Sequence, residues 1–302
     1  MKTTEKAAIL IEALPYLQKF AGSTVVVKYG GHAMENGGLK QDVIKDIIFL
    51  KYSGIRPVVV HGGGPELTAM LKTLGKETEF VSGLRVTDAE TAAIAEMVFT
   101  GQINREIVSL LNIHDIKSRA IGLNGKDANL LVASKKLATV RENGTVKEVD
   151  IGFVGEIEKV NSTLLTTLLD NDYIPVIAPI AIGEDGTTYN INADYVAAEV
   201  AVALQAEKLA LLTDVEGIYL DFENKASFIS TMTLAEAQEM VKTDSIAGGM
   251  IPKLEACITA LVGGVGKTHI LDGRVPHSLL LEVFTSEGIG TEVVRYRRYT
   301  HE

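Results

Sequence analysis

The chain has 302 residues, 46% of them apolar and 23% charged, which fits a globular protein with one large core or two moderate ones. Its 29 lysines and arginines stand against 39 acidic residues, a net charge of -10 with no basic block, so neither nucleic acid nor an anionic membrane is an expected partner. The single Cys257 rules out an internal disulfide, and its apolar helical surroundings read as a packed thiol in a reducing compartment. No apolar run approaches the roughly 20 residues needed to span a bilayer. Residues 1–23, interrupted by Glu5, Glu12 and Pro15, lack a signal-peptide pattern, so a cytoplasmic location is expected.

In chain order, Ala7, Leu10, Ile11, Leu14 and Leu17 repeat at helical spacing, with Pro15 expected to kink or divide the helix. Its apolar face needs a cover, either its own core or a neighbouring subunit. The run from Thr24 to Met34 is the organising stretch: three valines, then Lys28, Tyr29, Gly30, Gly31 and His32. It reads as a strand buried on both faces whose C-terminal end carries a lysine and two glycines. Leu39–Tyr52 reads as a helix, Pro57–Val60 as a second strand, and Pro65–Leu74 as a helix opened by proline. Thr87 and Glu90 predict a capping box ahead of a helix over Ala92–Phe99.

From Ala120 to Val160, short strand runs and an Asn143-Gly144 turn signal predict β-hairpins on the edge of the sheet. A helix and strand follow over Ser162–Ile180, then a turn at Gly183–Gly186, a helix over Tyr195–Leu204 and a strand over Lys208–Thr213. Strands alternating with helices predict a doubly wound α/β sheet. Two closely joined lobes are expected, 1–205 and 206–302, because no linker separates them.

Candidate chemistry gathers at strand and helix ends, where open α/β sheets bind their ligands. There is no Gly-x-Gly-x-x-Gly fingerprint. Gly263 to Thr268 imitates a P-loop, but Leu261 stands where its first glycine belongs and the context is helix, loop, strand. His61, Gly62, Gly63, Gly64 and Pro65 lead into a helix N-terminus, an array of N–H donors suited to a carboxylate or phosphate. His61 reads as a loop-fixing residue or a base. Arg85 offers a planar fork for a carboxylate or is a solvated surface group. Asn190 to Asp194 combine amides and a carboxylate, in which Asn192 or Asp194 can serve as an N-cap and Asp194 can hold lysines in position. Lys253, after Gly248 and Gly249, opposes the helix dipole at a helix start, which points to a negative group shared there. Two lysines and a glycine nest suit a loose phosphoryl-transfer transition state, where catalysis is mostly positioning and charge neutralisation.

Six segments, beginning at Lys28, His61, Gly83, Asn190, Leu212 and Gly248, together resemble the N-acetylglutamate kinases of the amino acid kinase family, in the expected order from about Thr24 onward. The resemblance implies a three-layer α/β/α sandwich with a mainly parallel central sheet, an acceptor lobe and an ATP lobe, and transfer of a phosphoryl group from ATP with Mg2+ to the γ-carboxylate of N-acetyl-L-glutamate, in arginine biosynthesis. It implies that Lys28 and Lys253 stabilise the transferring group and that Asp194 organises both. Gly63, Gly64, Arg85 and Asn190 would hold the acceptor. Gly30, Gly31, Thr213, Asp214, Gly217, Gly248, Gly249 and Met250 would lie around the nucleotide, with no metal-ligating residue assigned. On the same resemblance the N-terminal helix and the stretch from His269 to Gly290 match an arginine-inhibited branch assembled as a hexamer, a trimer of dimers, with His269, Glu282 and Gly288 at the effector site. The competing readings are a related acyl-phosphate-forming kinase acting on an aminoadipate-type acceptor, and a non-catalytic arginine sensor. A carboxylate acceptor, with a solution pKa of about 4.3, is already ionised at neutral pH and needs no general base.

Overall fold

The computed structural model describes residues 3–31, 34, 37–114, 119–142, 145–221, 223–243, 246, 248–285 and 288–297. The first half contains helix α1 (Thr3–Phe20), strand β1 (Thr24–Tyr29), α2 (Gly37–Tyr52), β2 (Arg56–His61), α3 (Gly64–Thr73), the two-residue strands β3 (Phe80–Val81) and β4 (Leu84–Arg85), and α4 (Ala89–Glu96). The last of these widens into π-helical turns over Met97–Ile103 and continues as α5 (Asn104–His114). Next come β5 (Arg119–Leu123), β6 (Leu131–Glu142), β7 (Thr145–Val160), α6 (Ser162–Asp170), β8 (Tyr173–Ile177), β9 (Ile180–Ile182), β10 (Thr188–Asn190) and α7 (Ala193–Ala203). The remainder is β11 (Lys208–Thr213), β12 (Ile218–Tyr219), β13 (Phe228–Ile229), β14 (Thr231–Thr233), α8 (Leu234–Lys242), α9 (Met250–Val262), β15 (Lys267–Asp272), α10 (Ser278–Phe284) and β16 (Thr291–Val294).

Eight strands form one sheet in the order β14-β16-β15-β11-β1-β2-β8-β5, parallel except where β15 meets β16. The valine run places β1 at its centre, with Val25 opposite Lys208 on one side and Pro57 on the other. Successive β1 side chains enter different cores: Val26 packs with Leu209, Val196 and Leu254, whereas Val25 and Val27 pack with Ile44, Ile47 and Leu279. A parallel sheet covered by helices on both faces accounts for the unbroken apolar runs.

α1 passes undivided through Pro15. Pro15 and Ile11, whose carbonyl goes without its helical donor, are both exposed, so that carbonyl is open to solvent. The stretch 120–160 also departs from expectation, because only β5 joins the main sheet. β6 and β7 form a long hairpin that closes with β9 and β10 into a small barrel with its own apolar filling of Ala138, Ile151 and Val154. Register shifts at Val132/Ala133 and Lys135/Leu137 bend the hairpin enough for closure. The Asn143-Gly144 signal lies outside the described residues.

No capping box forms at Thr87. Asp88 caps α4 by accepting from the Thr91 N–H at 2.7 Å. Thr87 is engaged by the barrel instead: its N–H donates to the Ile151 carbonyl and its carbonyl accepts from Phe153. Gly152, at φ 82, permits this approach, since a Cβ there would lie 2.1 Å from the Thr87 oxygen.

Candidate active site

The C-terminal ends of β1, β2 and β11 open onto two adjoining cavities. The first, about 210 Å3, is lined by Lys28, Gly62, Gly63, Gly64, Arg85, Phe99, Asn190 and Asp194. The second, about 510 Å3, is lined by Thr213, Asp214, Gly217, Tyr219, Leu220, Ile246, Gly249, Met250 and Lys253. Lys28 thus faces one cavity and Lys253 the other.

Asp194 joins them. Asn192 is the N-cap of α7 and accepts from the Asp194 N–H at 2.8 Å, which leaves the Asp194 side chain for the lysines. Lys253 donates to Oδ2 at 3.0 Å, whereas Lys28 meets Oδ1 at 3.1 Å off the hydrogen-bond direction. Burial alone pushes the Asp194 carboxyl upward, but the two ammonium groups outweigh it and hold the group at about 2. For Lys28, burial pushes the ammonium down and Asp194 opposes that push. The negative group implied by a lysine at the start of α9 is, at least in part, this carboxylate.

In the first cavity, Gly63 has φ 152, and a Cβ there would lie 2.2 Å from Ile103 Cδ1. No side chain caps α3, and Gly63 and Gly64 at its start line the cavity. Arg85 is buried; its Nη2 donates to the Gly64 carbonyl at 3.1 Å and to Thr68 Oγ1 at 2.7 Å. Its Nη1 is buried with no hydrogen-bond partner, and among the described residues no carboxylate meets the guanidinium. Phe80 stacks over it, 4.7 Å from ring centroid to Cζ. A desolvated cation with an open donor matches an anionic group on a ligand. Asn190 is steered by a long bond from its Nδ2 to Thr87 Oγ1, 3.4 Å.

His61 is no base for this site. It is fully buried, its Nδ1 lies 2.8 Å from the Gly62 carbonyl, and Asn104 donates to Nε2 at 3.2 Å. Burial lowers it to about 4, so the ring is neutral and fixes the glycine turn. The Gly263–Thr268 run is packing: the first glycine lies against Val202 and Gly266 against the Glu207 carbonyl.

Among the expected nucleotide residues, Thr213, Asp214, Gly217, Gly249 and Met250 line the second cavity. Gly31 lies instead on the first cavity, and Gly248 on a neighbouring cleft beside Pro252. Gly30 lines neither and lies beneath the Lys28 side chain, where a Cβ would come within 2.9 Å of Nζ. Sequence reasoning missed the apolar lining, Phe99, Leu67, Val154 and Pro179 in one cavity and Tyr219, Leu220 and Ile246 in the other. Phe99 sits in the π-helical turns, for which helical periodicity carries no signal.

His269, Glu282 and Gly288 do converge, at a separate place between β15 and α10. His269 Nδ1 lies 2.6 Å from Glu282 Oε1, while Glu282 Oε2 accepts from the Ile289 and Gly290 N–H groups at 2.8 and 3.3 Å. Lys208 Nζ lies 3.3 Å from His269 Nε2 and 5.0 Å from the centre of the Phe20 ring at the end of α1. Glu282 and His269 therefore face each other here.

A carboxylate bridging two lysines, one per cavity, at the carboxyl edge of a doubly wound sheet defines a phosphotransferase acting on a small molecule. Residues 23–272 match the amino acid kinase family, and the chain belongs to it. It is 56% identical over 290 residues to the acetylglutamate kinase of Moorella thermoacetica, covering 96% of this chain and 97% of that one. Its structure is similar, at a TM-score of 0.81 and 30% identity, to the N-acetylglutamate synthase of Neisseria gonorrhoeae in complex with coenzyme A and N-acetyl-glutamate, covering 97% of this chain and 64% of that one. The same synthase with coenzyme A and L-arginine gives a TM-score of 0.78 at 28% identity, covering 96% and 65%.

Proposed function

We infer that the chain transfers the terminal phosphoryl group of ATP to the γ-carboxylate of N-acetyl-L-glutamate, giving N-acetyl-L-glutamyl 5-phosphate and ADP, a step of arginine biosynthesis. The observation that carries the chemistry is Asp194 held between Lys28 and Lys253, one lysine at each cavity. The high identity to an acetylglutamate kinase over nearly the full length supports the choice of acceptor.

In this reading the acceptor lies in the smaller cavity, one carboxylate on Arg85 and the α3 N-terminus, with Asn190 on its amide. The nucleotide lies in the larger cavity against Tyr219, Leu220 and Ile246, its phosphates at the uncapped start of α9. Residues 1–205 form the acceptor half and 206–302 the nucleotide half. The ionised γ-carboxylate attacks the terminal phosphorus, the bond to the ADP oxygen breaks, and Lys28 and Lys253 neutralise charge on either side of the group in flight. Mg2+ arrives with ATP and neutralises phosphate charge. No proton has to be removed, which suits a centre whose nearby histidine is neutral and buried.

Regulation by L-arginine and assembly as a hexamer complete the proposal. α1 carries Ile9, Leu10 and Ile11 exposed at 52, 70 and 68%, a face suited to another subunit. The cluster of Glu282, His269 and Lys208 beside the end of α1 suits a ligand bearing both a guanidinium and a carboxylate, and arginine would enter by displacing His269 from Glu282. Among the described residues no helix is long and apolar enough to cross a membrane; the cytoplasm is the proposed location.

The test is trapping of acyl phosphate with hydroxylamine, using ATP, magnesium and a panel of acceptors, with and without arginine. N-acetyl-L-glutamate should give hydroxamate and an aminoadipate analogue should not. A chain that binds arginine but yields no hydroxamate from any acceptor is a sensor, and the reading fails.

A further inference from the structure

Beside the two cavities, and lining neither, Lys136, Tyr195 and Glu255 stand between a third hollow of about 670 Å3 and the cleft that holds Gly248. Tyr195 follows Asp194 on α7, and Glu255 lies two residues beyond Lys253 on α9. The Tyr195 hydroxyl donates to Glu255 Oε2. Lys136, on β6 of the barrel, places its ammonium 4.3 Å above the Tyr195 ring and 3.9 Å from Glu156.

Helical geometry gives this pair its meaning. At about 100° per residue, Lys253 and Glu255 leave α9 on opposite flanks of Leu254, which is fully buried in the core shared with α7. The two helices are therefore tied on both flanks: Lys253 to Asp194 between the two cavities, Glu255 to Tyr195 on the opposite flank. Leu254, Ala256 and Cys257 hold α9 against α7 through the core, but a lysine reaches its partner through four rotatable bonds and sets the fine rotation of the helix only loosely. The Tyr195–Glu255 tie uses a rigid ring and opposes that residual rotation. A turn of about 10° carries a side-chain tip roughly 6 Å from the axis through about 1 Å, and misplacement on that scale costs on the order of 100-fold in rate.

We propose that Tyr195 and Glu255 are a positioning pair that fixes the rotation of α9 and so aims the Lys253 ammonium at the group in transfer, with Lys136 steadying the pair from the barrel. The proposal rests on the phosphotransferase reading above and adds residues that line neither cavity.

In the hydroxamate assay, Tyr195→Phe lowers kcat by about 10–100-fold, while KM for ATP and for acceptor stays within about twofold and the melting temperature is retained. Glu255→Gln still offers an oxygen to the tyrosine hydroxyl and keeps kcat within about threefold, whereas Glu255→Leu falls as far as Tyr195→Phe. The double variant Tyr195→Phe/Glu255→Leu falls no further than the lower single. A Tyr195→Phe enzyme within twofold of the parent kcat overturns the proposal, as does Glu255→Gln falling as far as Glu255→Leu. If the phenylalanine variant is recovered unfolded, the comparison at Glu255 decides. The parent enzyme separates the two levels: no turnover by the parent refutes the phosphotransferase reading, and an active parent with an unimpaired Tyr195→Phe refutes only this pair.

Discussion

Replacing Asp194 by asparagine keeps the shape of the bridge and removes its charge. In the native chain the carboxyl is held at about 2 against 3.8, which corresponds to about 2 kcal/mol of stability. Because the folded value is depressed, this contribution is present above pH 3.8 and is lost as the pH falls toward 2. The Asp194→Asn variant loses it and also leaves two lysines with their counter-ion gone, one of them buried; breaking a buried pair from one side costs about 3–5 kcal/mol. For a chain of this length that is roughly 5–8 °C in melting temperature. The kinetic effect is larger, since both cations lose their anchor at once, and kcat should fall about 1,000-fold. The alkaline limb should also move. Burial already lowers the Lys28 ammonium and Asp194 is the main influence holding its proton; without it Lys28 deprotonates at lower pH and activity is lost earlier as pH rises. Calorimetry and hydroxamate rates from about pH 6 to 9.5 measure all three effects. A variant within tenfold of the parent, or an alkaline limb that does not shift, refutes the role assigned to the bridge.

Arg85→Lys removes the fork whose Nη1 awaits an anion; KM for the acceptor should rise about 10–100-fold with a smaller change in kcat, read from acceptor saturation curves at fixed ATP. Gly63→Ala drives a methyl group against Ile103 and Phe99 at a backbone angle that alanine avoids, and should cost about 2–4 kcal/mol with loss of acceptor binding. Shortening the obstruction with Ile103→Val should recover part of that loss in denaturant unfolding and in KM.

The parts of this molecule legible in its sequence are those where one local pattern has one structural meaning. The valine run ahead of Lys28 forms a buried central strand because nothing else accommodates it, and its glycine-rich end reaches the sheet edge where ligands bind. The barrel was not legible in that way: β6 and β7 alternate like any hairpin, and closure depends on bends and on a bond from Thr87 to residues more than sixty positions away. Thr87 and Glu90 have the spacing of a capping box, but the barrel claimed the threonine backbone and Asp88 took the cap. Tyr195 and Glu255 are separated by sixty positions and share no motif, so only the packing of α7 on α9 brings them together.

The central place of β1 also has a consequence for how the chain is made. Its neighbour β2 follows within a few tens of residues, but its other neighbour is β11, and Val25 must wait for Lys208. At roughly 5–20 residues per second of synthesis the wait is on the order of 10–40 seconds. During that interval a buried, valine-rich strand has one edge unpaired, a surface open to mispairing or to a chaperone. Lys28 cannot meet Asp194 and Lys253 until α9 has emerged, so the reaction centre is among the last features to form around one of the first strands made.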